Sequence, residues 1–243
     1  MKTVLFLHGW GHNWYYSADN LKKPFENCTK LIDSIRESYK IHYHSFPGFY
    51  QRPAPDQVWS IHDFSQDLED HLNSNNIQPD FVVACSFGAS VAVDWFVSFS
   101  KNSKIVLISP ALIRSKSKVS KTVGKIVSHL NIKILPKWFT KLLRHIFLSY
   151  IIQNPFYKKA PGKMKDTYLN IVKEENYQKL KKINSDNLLL IFGSDDSATP
   201  PNLLLEKIDE RYKDRIILID GGTHEVKSTH GKYIADIIKN FVE

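Results

Sequence analysis

Ser86 lies in the stretch VVACSFGAS, residues 82–90, where a short apolar run ends in small residues. The apolar run predicts a buried strand, and the small residues after it predict an immediate turn into a helix. A serine on so tight a turn presents its hydroxyl above the sheet, beside a helix N-terminus whose free N–H groups suit an oxyanion. Ser86 is therefore a candidate nucleophile for acyl transfer.

The residues two before and two after a serine on such a turn must be small, and here they are Ala84 and Gly88. Ser90 also has small neighbours, but it lies a turn inside the predicted helix. Cys85 is excluded because a large aromatic residue stands two positions after it. Ala84 carries a methyl group where glycine is usual, so we expect the adjacent strands or helix to be displaced slightly.

A serine nucleophile needs a base to take its proton and an acid to orient that base. Asp195 and Asp196 follow the apolar run NLLLIFG, and His224 follows the run RIILIDGG. The carboxyl ends of parallel strands share one edge of a sheet, so these side chains are expected near Ser86. The chain order Ser, Asp, His is that of a hydrolase triad on such a sheet. The pattern leaves Asp195 and Asp196 open as the acid.

The elements that must position these residues alternate between strands and helices. Six nearly continuous apolar segments predict parallel strands covered on both faces. The predicted strands are 3–8, 40–46, 80–85, 103–110, 187–193 and 214–221, and the predicted helices are 60–72, 88–99, 200–212 and 229–242. The sequence therefore predicts an α/β fold with a mainly parallel sheet of about six strands and helices on both faces.

Residues 112–184 interrupt the alternation. The segment contains no predicted strand, and residues 138–151 form an apolar helical face opposite Lys141, Arg144 and His145. We interpret it as a basic helical cap, or lid, inserted after the fourth strand of a core formed by residues 1–111 and 185–243. An insertion there lies at the carboxyl edge of the sheet, where open α/β sheets bind ligands.

The charge of the chain is concentrated in this insertion. The 243 residues carry a formal net charge of +8, but residues 112–182 hold 17 Lys and Arg against 3 acids, a net +14, and the remainder carries −6. One interpretation is a solvated lysine-rich surface. The other is a module for an anionic partner: a carboxylated substrate, an acidic carrier protein or an anionic membrane surface. No nucleic-acid-binding module is recognisable, so no nucleic-acid partner is expected.

Several classes of protein are disfavoured. No run of 18 or more uncharged apolar residues occurs, so no transmembrane span is predicted. Cys28 and Cys85 are the only cysteines, which favours a reducing cytoplasm over a disulfide framework. No P-loop or dinucleotide fingerprint occurs. His8 and His12 flank a glycine-rich loop rather than lying on a helix, so no metal site is expected there.

Four motifs give the chain a resemblance to a known family. They are LFLHGWGHNW (5–14), SFPGFYQRPAP (45–55), ACSFGAS (84–90), and GSDDSATP (193–200) followed by GGTHEV (221–226). Together they resemble the α/β-hydrolase superfamily, and within it the small cap-bearing carboxylesterases of the pimeloyl-carrier-protein methyl ester esterase type. The resemblance covers residues 1–111 and 185–243. Tyr50 and Arg52 depart from it, because they replace a glycine and a serine of the second motif.

The resemblance implies a role for each candidate. Ser86 is the expected nucleophile and His224 the general base and then general acid. The family's spacing of its acid between a glycine and a proline, here Gly193 and Pro200, selects Asp196 over Asp195.

The resemblance also implies an oxyanion hole and an activity. The main-chain N–H groups of Trp10 and Phe87 are expected to form the hole, and both residues are expected to contact substrate, with the Trp10 side chain walling the acyl pocket. His8 is expected to shape this loop without taking part in the chemistry. The implied activity is hydrolysis of a carboxylic ester, or a related acyl bond, through an acyl-enzyme on Ser86, without a cofactor. The alternatives are a peripheral membrane protein that binds or hydrolyses lipid, and a catalytically silent binding protein with the same fold.

Overall fold

Six parallel strands form the sheet that positions the candidate residues. In chain order they are β1 Thr3–Leu7, β2 Lys40–His44, β3 Phe81–Cys85, β4 Lys104–Ile108, β5 Leu188–Gly193 and β6 Ile216–Ile219. They pair in the spatial order β2-β1-β3-β4-β5-β6, with every neighbouring pair parallel. The structure is a computed structural model that describes residues 1–17, 22–113, 136, 138, 140, 142 and 154–243.

Both faces of the sheet are covered by helices. Along β1, Leu5 and Leu7 belong to one buried cluster, whereas Val4 and Phe6 belong to another, because successive side chains of a strand point to opposite faces. The first cluster includes buried residues of α2 (Ile61–Ser74) and α3 (Phe87–Ser98), and the second includes those of α1 (Thr29–Arg36) and the C-terminal helix Gly231–Val242. The predicted fold class is confirmed.

The other regular elements are short. Within residues 1–17, 22–113 and 154–243, the remaining α-helices are Pro155–Lys158, Met164–Ile171, Pro201–Leu205 and Val226–Thr229. In the same ranges the 3₁₀ helices are His12–Trp14, Glu26–Cys28, Tyr177–Lys182, Ser185–Asn187 and Glu210–Arg215. Within the described ranges, every helix is too short or too polar to cross a lipid bilayer.

The helix predicted over residues 200–212 is wrong as one element. The α-helix ends at Leu205, and a separate 3₁₀ helix begins at Glu210. Tyr212 is fully buried, and its hydroxyl, which has one proton to donate, lies within hydrogen-bond distance of the main-chain carbonyls of Leu180 and Ile183. These tertiary contacts place Tyr212 where one continuous helix over residues 200–212 would not, although the apolar spacing favours such a helix.

Part of the predicted cap falls outside the described residues. Trp138, Thr140 and Leu142 are helical, as predicted, but the rest of 138–151, with Lys137, Lys141 and Arg144, lies outside them. Residues 154–187 are described, and they contain helices and turns without a strand. The division into a core and a cap stays a prediction.

Polar contacts hold residues 154–187 against the helices that cover the sheet. Lys179 forms an ion pair with Asp94 of α3, whose carboxylate also accepts a hydrogen bond from Ser65 of α2. Asn176 donates its side-chain amide to the Ser90 carbonyl at 3.1 Å, and its main-chain N–H to the Leu112 carbonyl at 3.0 Å. These contacts fix the segment that precedes β5 against α2 and α3.

Candidate active site

Ser86 occupies the turn between the end of β3 and the start of α3. Its backbone lies at φ 50° and ψ −113°, in a region that non-glycine residues rarely adopt. The turn is held in this conformation from both sides, because the Ser86 N–H donates to the Ile108 carbonyl at 3.0 Å and the Ser86 carbonyl accepts from the Ala111 N–H at 3.1 Å. The strained turn predicted from the sequence is therefore present at Ser86.

The residues around Ser86 are packed closely. A Cβ atom added to Gly88 would lie 2.5 Å from the carbonyl oxygen of His8, so α3 approaches the end of β1 as closely as a glycine allows. Ala84 is fully buried in β3, where it pairs with Leu7 on one side and Leu107 on the other in an unbroken register. The slight displacement expected at Ala84 stays a prediction.

The structure brings Ser86, His224 and Asp196 into one hydrogen-bonded chain. The Nε2 atom of His224 lies 3.1 Å from Ser86 Oγ, and its Nδ1 atom lies 2.8 Å from Asp196 Oδ2. Asp195 does not join them, because it is exposed and its carboxylate accepts from the hydroxyl of Ser194. Of the two acids that the sequence pattern left open, Asp196 is the one that contacts the histidine.

The carboxylate of Asp196 is buried and accepts several hydrogen bonds. Its Oδ1 atom accepts from the N–H groups of Ala198 at 2.9 Å and Thr199 at 2.8 Å, and Oδ2 accepts from the Thr199 hydroxyl at 2.7 Å. Burial raises the pKa of Asp196, but the hydrogen bonds from His224 and Thr199 outweigh it and hold the pKa well below its usual range. Asp196 is therefore an ionised carboxylate in contact with His224.

His8 fixes the loop between β1 and Trp10. The His8 ring is buried, its Nδ1–H donates to the Gly9 carbonyl at 2.7 Å, and its Nε2 accepts from the Phe46 N–H at 3.1 Å. Burial lowers the pKa of His8 to about 3, against the opposing effect of the hydrogen bond to Gly9. His8 is thus a neutral side chain that joins two loops at the carboxyl edge of the sheet.

Trp10 and Phe87 line the same cavity as Ser86. Their rings are in edge-to-face contact, with centroids 5.0 Å apart. Phe87 begins α3, and within the described part of the chain neither its main-chain N–H nor that of Trp10 donates a hydrogen bond. Both residues border the cavity that Ser86 also lines, so the role of their N–H groups as an oxyanion hole stays a prediction.

A cavity of about 560 Å³ opens over Ser86 and His224. Aromatic and aliphatic side chains form its apolar wall: Trp10, Trp14, Phe87, Phe156, Tyr168, Ile171 and Val172. Its charged lining residues are Lys22, Glu26, Glu225 and Lys227. The cavity therefore offers an apolar wall and a polar side to a ligand that reaches Ser86.

The comparisons with known proteins agree with this architecture. The sequence profile of the Alpha/beta hydrolase family matches residues 4–231. The chain belongs to the α/β-hydrolase family. A comparison with curated proteins finds no match.

Solved structures similar to this α/β hydrolase include several enzymes. A thermophilic esterase from Thermogutta terrifontis is 13% identical with a TM-score of 0.66, over 100% of this chain and 89% of the other. The meta-cleavage product hydrolase of Pseudomonas fluorescens IP01 is 15% identical with a TM-score of 0.66, over 99% and 90%. A bromoperoxidase from Bacillus anthracis is 18% identical with a TM-score of 0.68, over 99% and 91%. At these identities the likeness concerns the fold.

Several residues of the site of this α/β hydrolase were not among the sequence candidates. Thr199 could have been found, because an aspartate followed by small polar residues is typical of a turn in which the carboxylate accepts the following N–H groups. Phe156, Tyr168, Ile171 and Val172 follow no motif. They reach the cavity through the path of residues 154–172, which no local pattern specifies.

Proposed function

We propose that this α/β hydrolase is a serine hydrolase that cleaves a carboxylic ester, or a related acyl bond, through an acyl-enzyme on Ser86. The observation that carries the proposal is the chain of hydrogen bonds from Ser86 Oγ through His224 to Asp196 at the wall of a cavity. Each distance is within reach of proton transfer or orientation by a hydrogen bond.

In the first half-reaction, Ser86 Oγ attacks the acyl carbon while His224 Nε2 takes the hydroxyl proton. The imidazolium that forms is stabilised by the ionised carboxylate of Asp196. The tetrahedral oxyanion accepts hydrogen bonds from the N–H groups of Trp10 and Phe87, each worth about 3 kcal/mol in related enzymes. Nε2 then returns the proton to the leaving oxygen, and the acyl–oxygen bond of the substrate breaks.

In the second half-reaction, His224 Nε2 removes a proton from a water molecule that attacks the acyl-enzyme. The bond between the acyl carbon and Ser86 Oγ breaks, Oγ recovers its proton from His224, and a carboxylic acid leaves. The apolar wall formed by Trp10, Phe87 and Tyr168 suits an acyl group, and the cavity of about 560 Å³ accommodates a small to medium substrate.

Labelling with a fluorophosphonate probe and hydrolysis of short p-nitrophenyl esters test the proposal. We expect the wild type to be labelled and active, and Ser86→Ala to be neither. Ser98→Ala removes an exposed hydroxyl from the last turn of the same helix, and it should match the wild type. An unlabelled, inactive wild type would support the silent binding protein instead, and an active Ser86→Ala would exclude the acyl-enzyme.

The basic composition of residues 112–182 supports an anionic substrate or an acidic carrier protein as the acyl donor. Charge reversal of Lys137, Lys141 and Arg144 should lower kcat/KM for an ester with a carboxylate at the far end of its acyl chain. The neutral ester of the same length is the control. Equal effects on both esters would remove the support for an anionic substrate.

A second candidate function is action on lipid at an anionic membrane. Trp138 and Leu142 lie one helical turn apart in the basic segment and are 67% and 46% exposed. Trp138→Ser with Leu142→Ser should reduce co-sedimentation with vesicles of anionic lipid. Tyr233→Ser, which removes an exposed aromatic ring from the C-terminal helix, is the control. A wild type that stays in the supernatant would exclude this function.

A further inference from the structure

Tyr15 connects the Trp10 loop to the inserted segment. The indole Nε1–H of Trp10 donates a hydrogen bond to Tyr15 Oη at 2.6 Å, and Tyr15 Oη donates to the main-chain carbonyl of Phe156 at 2.5 Å. Tyr15 and Phe156 are 141 residues apart in the sequence. Two hydrogen bonds therefore join the loop that holds one oxyanion donor to a segment that walls the cavity.

Asn154 holds the main chain at Phe156, which accepts the hydrogen bond from Tyr15. Its side-chain oxygen caps the helix Pro155–Lys158 by accepting the N–H groups of Phe156 at 3.0 Å and Tyr157 at 3.2 Å. Its amide nitrogen donates to the Tyr168 hydroxyl at 3.2 Å. Asn154 thus orients the peptide group that accepts from Tyr15, and it also positions a second aromatic ring of the cavity wall.

The hydrogen bonds and ring contacts around Tyr15 form a closed ring of residues. The ring of Tyr168 lies 5.7 Å from that of Trp10 and stacks at 5.9 Å on that of Phe156. The path from Trp10 through Tyr15, Phe156 and Asn154 to Tyr168 consequently returns to Trp10. A closed ring of contacts holds its residues more rigidly than an open chain does, because displacing one residue strains the contacts on both of its sides.

The Tyr15 side chain is itself immobilised. It is 5% exposed, its ring stacks on Phe49 with centroids 5.4 Å apart, and its main chain forms a bridge with Phe49. Burial raises the pKa of Tyr15, so the hydroxyl keeps the proton with which it donates. The hydroxyl is therefore a fixed point that can accept from Trp10 and donate to Phe156 at once.

We propose that Tyr15 is a positioning residue that aligns the Trp10 N–H with the oxyanion only while the segment around Phe156 is docked. This inference rests on the proposed function. Stabilisation of an oxyanion depends steeply on donor position, and the side chain and the N–H of Trp10 belong to the same residue. If the hydrogen bond from the Trp10 indole to Tyr15 is lost, the Trp10 loop can move. Substrate binding then stays largely intact, but the oxyanion of the transition state is bound less tightly.

Tyr15→Phe is the first test, since it removes the hydroxyl and keeps the stacked ring. We expect kcat for p-nitrophenyl esters to fall about tenfold while KM changes less than about twofold. Inhibition by an alkyl boronic acid, which forms a tetrahedral adduct, should weaken by the same factor as kcat. Tyr16→Phe removes the neighbouring hydroxyl, on a ring that is 38% exposed, and should match the wild type.

A double-mutant cycle separates positioning from a general loss of structure. Trp10→Phe removes the indole donor but keeps the main-chain N–H. If Tyr15 acts through Trp10, adding Tyr15→Phe to this variant should not lower kcat further. Losses that multiply would overturn the proposal, as would a wild-type kcat for Tyr15→Phe or a fall in kcat matched by lowered thermal stability and raised KM.

The failure of this inference is distinguishable from failure of the proposed function. A fluorophosphonate-labelled wild type with an inactive Ser86→Ala and a fully active Tyr15→Phe refutes only the role of Tyr15. An active Ser86→Ala refutes the acyl-enzyme and the inference with it.

Discussion

Thr199 holds the carboxylate of Asp196 with both its main chain and its side chain. The N–H donates to Oδ1 at 2.8 Å and the hydroxyl donates to Oδ2 at 2.7 Å, while the same hydroxyl lies 3.3 Å from His224 Nδ1. Oδ2 is also the atom that contacts His224. Thr199 therefore sets the direction in which the carboxylate faces the histidine.

Replacing Thr199 by valine should lower kcat/KM about tenfold or more, since one hydrogen bond to a charged group is worth about 1.5–3 kcal/mol. Valine keeps the volume and the N–H donor but leaves Asp196 Oδ2 with fewer donors. Steady-state ester hydrolysis measures the effect. Thr199→Ser retains the hydroxyl and should stay near the wild type. Equal losses in the two variants would show that packing, rather than the hydroxyl, is responsible.

The sequence predicted the residues of the site that follow strand ends. Ser86 directly follows β3, and Asp196 and His224 lie in the loops after β5 and β6, so the parallel strands bring all three to one edge of the sheet. The order of elements and the parallel sheet were predictable for the same reason. Their catalytic roles stay predictions until the enzyme is assayed.

The contacts that the sequence did not predict join distant positions without a periodic pattern. The hydrogen bond from Tyr15 to Phe156 and the ion pair of Lys179 with Asp94 depend on where residues 154–187 pack against residues 1–113. Arg52, noted only as a departure from the family's motif, donates two hydrogen bonds to the carboxylate of Asp67 at 2.8 and 2.6 Å. Such pairings follow from tertiary packing, which single-residue preferences do not encode.

The burial of His8 should make the protein less stable as the pH falls. The folded protein holds the pKa of His8 at about 3, below its ordinary 6.5, so between these values the unfolded chain binds more protons. The contribution of His8 to the free energy of unfolding is fully present above pH 6.5. It is lost as the pH falls toward about 3, at up to about 1.4 kcal/mol per pH unit.

Urea denaturation at about pH 7, 6 and 5 measures this dependence. His8→Asn should be less stable at the highest pH but should lose less stability on acidification than the wild type. Phe46→Leu removes packing against the His8 ring, at 4.9 Å, without removing a titrating group. It should therefore keep the wild-type slope, and a wild-type slope in His8→Asn would contradict the prediction.

Removing Lys179 should destabilise the junction between the inserted segment and α3. Asp94 is 2% exposed, and its carboxylate would lose its lysine partner in Lys179→Met. Loss of one partner of a buried pair costs about 3–5 kcal/mol, but Lys179 is 37% exposed, so we expect about 2 kcal/mol. Chemical denaturation measures it.

Two further variants test that explanation. In Lys179→Met the buried carboxylate of Asp94 keeps its contacts with Ser65 and His62 but has no lysine beside it, so adding Asp94→Asn removes that charge and should restore part of the stability. Lys181→Met breaks an exposed pair with Asp209, at 3.5 Å, and should cost less than about 1 kcal/mol. A cost for Lys181→Met as large as that for Lys179→Met would show that the burial of Asp94 is not the cause.

Gly88→Ala should distort the turn at Ser86. The added Cβ would lie 2.5 Å from the His8 carbonyl oxygen and 2.9 Å from that of Leu7, and both atoms belong to the main chain. The start of α3 must therefore move away from β1, which we expect to cost about 1–3 kcal/mol of stability. The movement also shifts Ser86 from His224, so kcat should fall about a hundredfold.

Gly162→Ala is the matched control, because a Cβ atom there meets nothing within 4 Å although φ is +43°. It should cost about 1 kcal/mol through backbone strain and leave kcat unchanged. Denaturation and ester hydrolysis of the two variants separate crowding at the turn from the general effect of replacing a glycine. A fully active Gly88→Ala would show that the distance between Ser86 and His224 tolerates movement of α3.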